Sequence, residues 1–222
     1  MTYGATIGKK FYEDGTVRRY PGNTVVADIL PGNPAYEVMC HLRQMVIDMG
    51  LTSHIILLPA DSYHMTVIRG VNDQVRSDTY WPAALPKDAT MTEADDFVSK
   101  AYLEAGLPGP VRMRFDSISI SKSACIIRLH PADEEQAKKL WDFRNRAAEK
   151  LGHRLPRHEE YRFHISLGYV WKIAEGEDAE RIEQLKERVD AYIADQPEFW
   201  TAAPYMAYYD DMHAFSPERL PR

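Results

Sequence analysis

Between Asn33-Pro34 and Gly50, the apolar residues Ala35, Val38, Met39, Leu42, Met45, Val46 and Met49 recur at helical spacing. Asn before a helix accepts from its free N–H groups, Pro fits the first turn, and Gly fits the left-handed exit. The pattern therefore predicts a helix over residues 34–49. Two more long helices are predicted over 133–151, with Gly152 beyond, and over 178–194, ending before Pro197. A shorter one is predicted over 92–105, opened by a Thr92/Asp95 capping-box arrangement and stopped by Gly106 and Pro108. Strand patterns fall at 54–58 and 63–69, joined by Pro59-Ala60-Asp61. Others fall at 111–120 and 124–130, turning near Ser121-Lys122-Ser123, and at 161–171 and 205–215. Residues 6–12 and 16–20 flank Glu13-Asp14-Gly15 and read as a hairpin, with Lys9, Lys10, Arg18 and Arg19 as its solvated face. Residues 71–91 are irregular and contain a Tyr80-Trp81 pair.

Strand pairs separated by helices, without a regular βαβ alternation, predict an α+β fold with a largely antiparallel sheet. A chain of 222 residues fits one large domain or two closely joined lobes. Lys plus Arg number 27 against 33 Asp plus Glu, a net charge of −6 with no basic stripe. A nucleic-acid ligand is therefore expected to be small, or a strand end, and not a long duplex. The two cysteines, Cys40 and Cys125, read as buried reduced thiols. No apolar run approaches the ~18 residues that span a bilayer, and the N-terminal residues lack a secretory pattern. A cytoplasmic protein that does not enter a membrane is the expectation. No phosphate-binding Gly-rich loop, Cys-x-x-Cys or His-Glu-x-x-His is present, so the sequence proposes neither an NTPase, a dinucleotide enzyme nor a thiolate or histidine metal centre.

Strict alternation over 161–171 puts Tyr161, Phe163, Ile165, Leu167, Tyr169 and Trp171 on one face and Arg162, His164, Ser166, Gly168 and Val170 on the other. Residues 62–68 repeat the arrangement, with Tyr63, Met65 and Val67 opposite Ser62, His64, Thr66 and Ile68. Each strand thus presents an imidazole and a hydroxyl about 6.5–7 Å apart on one face. Histidine titrates near pH 6.5 and can both take and give a proton, so two imidazoles flanking one phosphorus can act as base and acid without a metal. Thr66 and Ser166 can hydrogen-bond the non-bridging oxygens, and Arg162 can neutralise developing charge. Tyr80 and Trp81 are candidates for stacking on a base, or for plugging a long loop onto the core. His41, His54, His130, His153, His158 and His213 read as structural or surface residues.

Tyr63-His64-Met65-Thr66-Val67 and Phe163-His164-Ile165-Ser166-Leu167-Gly168-Tyr169 resemble the duplicated motif of the 2H phosphoesterase superfamily. That superfamily includes bacterial RNA 2′,3′-cyclic phosphodiesterases (the 2′-5′ RNA ligase group), and the chain as a whole is similar to a bacterial branch. The resemblance implies a single domain over residues 1–222 with two pseudo-symmetric lobes, carrying one motif strand each at about 62–69 and 161–171. Two mainly antiparallel sheets would form a central cleft, with helices on the outer faces. It also implies metal-independent hydrolysis of a 2′,3′-cyclic or 2′-linked phosphodiester without a cofactor, by a monomer acting on a small cyclic nucleotide or an RNA end. His64 and His164 would be the acid/base pair, in either assignment, and Thr66 and Ser166 would hold the phosphate. Two other readings stay open: a non-catalytic nucleotide- or RNA-end-binding module using the same cleft, and a metal-dependent hydrolase with both histidines as ligands.

Overall fold

The computed structural model describes residues 2–219, so the extreme ends of the expected 1–222 span lie outside the described residues. Helix α1 (Pro34–Asp48) begins where Asn33 Oδ1 accepts from the Ala35 N–H at 2.9 Å, with Pro34 in the first turn. Helix α3 (Glu134–Leu151) opens on Asp133, which accepts from the Gln136 N–H, and closes on Gly152 at φ 65°. Helix α4 spans Glu177–Ala194. Helix α2 (Met91–Glu104) starts two residues earlier than its expected box: Thr90 and Glu93 make the reciprocal cap. The Asp95 carboxylate is instead buried and accepts from Asn23 Nδ2 at 2.8 Å, which removes it from capping.

The strands are β1 (Gly22–Asp28), β2 (Ile55–Leu57), β3 (His64–Asn72), β4 (Arg112–Ile120), β5 (Ala124–Pro131), β6 (His164–Val170), β7 (Phe199–Trp200) and β8 (Tyr205–Tyr209). Among the described residues they form one eight-stranded antiparallel sheet in the order β7-β4-β5-β6-β3-β1-β8, with β2 also paired to β6. The two expected sheets are thus joined into one, and the joint is a single bridge pair, Met65 with Ile165. Its brevity has a local cause. Strand β2 takes the edge of β6 beyond the bridge, pairing Leu57 with Gly168 and Ile55 with Val170, so β2 and β3 lie along β6 in turn and do not form a hairpin. Gly168 permits the approach, because a Cβ there would collide with the Ile56 carbonyl.

Buried residues of all four helices, such as Leu42, Val98, Phe143 and Val189, join Val25, Met65, Ile127 and Ile165 of the strands in one core cluster. A second, smaller cluster of Phe11, Leu58, Tyr169 and Met212 packs the N- and C-terminal segments together. Buried residues from all four helices thus contribute to one continuous core. The expected N-terminal hairpin keeps its turn, with the Tyr12 N–H donating to the Thr16 carbonyl, but its arms make only isolated bridges among the described residues. No helix among the described residues is long and apolar enough to cross a membrane.

Candidate functional site

Both histidines are the first residue of their strand, and both are oriented the same way. His64 Nδ1–H donates to the Ser62 carbonyl at 2.7 Å, and His164 Nδ1–H donates to the Arg162 carbonyl at 2.9 Å. A carbonyl can only accept, so these bonds place the ring proton on Nδ1 and leave Nε2 as a lone-pair acceptor. The Met65–Ile165 pair is fully buried against the core, so its neighbours face the opposite side. Antiparallel register then sets His64 across from Ser166 and Thr66 across from His164. The two histidines are diagonal neighbours in this register, a spacing of about 7–8 Å between their backbone positions. All four side chains line one cleft of about 470 Å³, and neither hydroxyl bonds another described residue.

Each motif strand carries a one-residue bulge just past its hydroxyl. Val26 and Val25 of β1 face Thr66 and Ile68, leaving Val67 extra. Ile126 and Cys125 of β5 face Ser166 and Gly168, leaving Leu167 extra. A bulge bends its strand and reverses the alternation beyond it. The site face therefore continues through Arg69 and Tyr169, and not through Ile68 and Gly168 as strict alternation predicts; Ile68 lies in the core. The β3 bulge is held by side chains. The Thr66, Val67, Ile68 and Arg69 carbonyls accept from Tyr161 Oη, Arg144 Nη1, Thr24 Oγ1 and Tyr102 Oη at 3.0, 2.6, 3.0 and 2.8 Å. Arg144 is buried with no ion-pair partner among the described residues, and it also donates to the His158 carbonyl and stacks on Tyr161.

The N- and C-terminal segments form the cleft walls. Lys10 contradicts its reading as a solvated residue: it is half-buried in the cleft, and its Nζ donates to Tyr169 Oη at 3.1 Å. Met212 and Phe215 close the other side, with the Phe215 ring 4.1 Å from that of His64. Burial pushes His64 down to about 4, aided by His164 and opposed by the Ser62 carbonyl. Burial likewise lowers His164, opposed by the Arg162 carbonyl and aided by Arg69, Lys10 and Arg128.

The remaining candidates are placed elsewhere. Arg162 is exposed and does not line the cleft. Trp81 is fully buried in the core, where its indole N–H donates to the Leu85 and Pro86 carbonyls. Tyr80 is partly exposed and lines an adjoining hollow that shares Lys10, Arg69 and Tyr209 with the cleft. Cys125 is buried, Cys40 is half-buried, and both are free thiols. Among the described residues, no group of three or more His, Cys, Asp or Glu could hold a metal ion.

The fold and cleft define an α+β protein whose two motif strands bring paired histidines and hydroxyls to one opening. A family model, 2H-phosphodiest, described as a domain of unknown function (DUF1868), matches residues 10–124, just over half of the chain, and the protein belongs to that family. The matched span contains His64 but ends before His164. A conserved protein of unknown function from Agrobacterium tumefaciens strain C58, ATU0111, is 27% identical over 97% of this chain and 91% of its own, with a TM-score of 0.82. TT0787 of Thermus thermophilus is 12% identical over 84% of this chain and 85% of its own, with a TM-score of 0.46. No curated protein matches the chain.

Proposed function

We propose that the protein is a phosphodiesterase that hydrolyses a 2′,3′-cyclic or 2′-linked phosphodiester of a small nucleotide or an RNA end, with His64 and His164 as its acid/base pair. The observation that supports it most is the single Met65–Ile165 bridge, which gathers both imidazoles and both hydroxyls around one opening. In this reading the neutral Nε2 of one histidine takes a proton from water as the water oxygen bonds to phosphorus. The other histidine, protonated, gives its proton to the ribose oxygen as that P–O bond breaks. Thr66 and Ser166 donate to the non-bridging oxygens, where negative charge grows in the transition state. Burial holds both imidazoles below their ordinary range, and a phosphate anion between them opposes that effect by favouring the protonated form.

The test is turnover of a panel of 2′,3′-cyclic nucleotides and short RNAs with cyclic ends, in EDTA, followed by ³¹P NMR. Conversion to phosphomonoesters with the metals chelated is the expected result. Binding without turnover of any member would leave only the binding-module reading. Turnover abolished by EDTA and restored by a divalent metal would favour the metal-dependent one.

A further inference from the structure

The adjoining hollow, of about 280 Å³, is lined by Tyr20, Asn72, Tyr80 and Leu155 and opens onto the histidine cleft at Lys10 and Arg69. Arg76, Arg112 and Arg181 pair with Asp73, Asp133 and Asp178, whereas neither Lys10 nor Arg69 forms an ion pair with any described residue. Among the described residues no Asp or Glu lines either hollow, in a chain of net charge −6. The Lys10 amine donates to the Tyr169 phenol and lies 5.3 Å and 4.7 Å from the ring centres of Tyr20 and Tyr169. Burial brings Lys10 down to about 8; Tyr20 opposes this and Arg69 adds to it. Lys10 is half-buried and Arg69 exposed where the two hollows meet; like charges set side by side repel, and an anion between them relieves that cost. The β3 bulge makes the juxtaposition, since without its extra residue Arg69 would face the core.

We propose that Lys10 and Arg69 form a second anion subsite at this junction, and that the substrate is a small phosphodiester carrying a second phosphate group. The scissile phosphate rests on the paired-histidine reading above; the second subsite does not. The three tyrosines around the hollow offer faces for a flat ring between the two phosphates.

Calorimetric titration of the wild type with adenosine 3′,5′-bisphosphate and with adenosine 3′-monophosphate tests this without turnover. Charge-assisted hydrogen bonds of this kind correspond to about 30-fold in affinity, so the bisphosphate should bind tighter by that order. In Arg69→Gln and in Lys10→Met the ratio should fall to about 5-fold or less, and Arg69→Lys should retain most of it. Equal affinities in the wild type, or a ratio unchanged in both Arg69→Gln and Lys10→Met, would overturn the subsite. Hydrolysis of a cyclic nucleotide alongside equal affinities would sink the subsite and spare the phosphodiesterase. A large, variant-sensitive ratio without hydrolysis would do the reverse.

Discussion

An imidazole works as a base only when neutral and as an acid only when charged, so a paired site is active when it holds one proton. Burial lowers His64 to about 4 and lowers His164 as well. At neutral pH both rings are then mostly neutral, and acid is the scarce role; at very low pH both are charged, and base is lost. The pair titrates as a unit. The kcat/KM profile for a cyclic nucleotide is therefore expected to peak below about pH 6.5, the ordinary value for histidine, and to decline toward pH 8. An optimum above pH 8 would contradict this. The duplicated His-x-Thr/Ser pattern was legible because each copy needs only two residues on one strand face. Lys10 and Arg69 were not. Lys10 sits in a segment whose local charge resembles a solvated face, and Arg69 falls on the wrong face under strict alternation.

Helices were the most legible elements, because their signals are local: Asn33 with Pro34, and Asp133 with Gly152, cap α1 and α3 within a turn. The Thr92/Asp95 box failed because Asp95 commits its carboxylate to Asn23, a partner 72 residues away. Strand β1 escaped notice because Thr24 through Ala27 are all buried between β3 and β8, so no polar-apolar alternation marks them. The bulges depend on equally distant partners, since the carbonyls of 66–69 are satisfied by Tyr161, Arg144, Thr24 and Tyr102. Arg144 gives this a measurable consequence. Arg144→Met removes the donors to the Val67 and His158 carbonyls and should cost about 3 kcal/mol in urea unfolding, as expected for charged hydrogen bonds lost from buried carbonyls. It should also lower kcat/KM, because the bulge positions Thr66 and Arg69. An unchanged unfolding midpoint would show that the bulge holds itself.

The whole molecule is one sheet assembled from two motif-bearing parts that meet at one bridge, with the helices in one core and the chain ends walling the cleft. The expectation of two sheets failed because that bridge lies between strands 100 residues apart in sequence, and no local pattern encodes it. Stability carries a pH signature from the buried imidazoles. His64 and His158 are both pushed down to about 4, His64 chiefly by burial and His158 by burial and then Arg144 and Arg154. Between about pH 6.5 and 4 the unfolded chain therefore binds more protons than the folded one, and stability falls as pH drops through that window. The urea midpoint should be lower at pH 5 than at pH 7, and His158→Gln should narrow the gap; equal midpoints in the wild type would contradict the assignment. The central claim, that two distant strands act as one unit on one phosphate, is tested most directly by the rates of His64→Ala, His164→Ala and the double variant on a 2′,3′-cyclic nucleotide in EDTA. Groups that act as a unit are non-additive, so each single variant should lose about 10³-fold or more and the double variant little beyond that. A single variant near the wild-type rate, or losses that multiply in the double variant, would show that the two histidines do not work together.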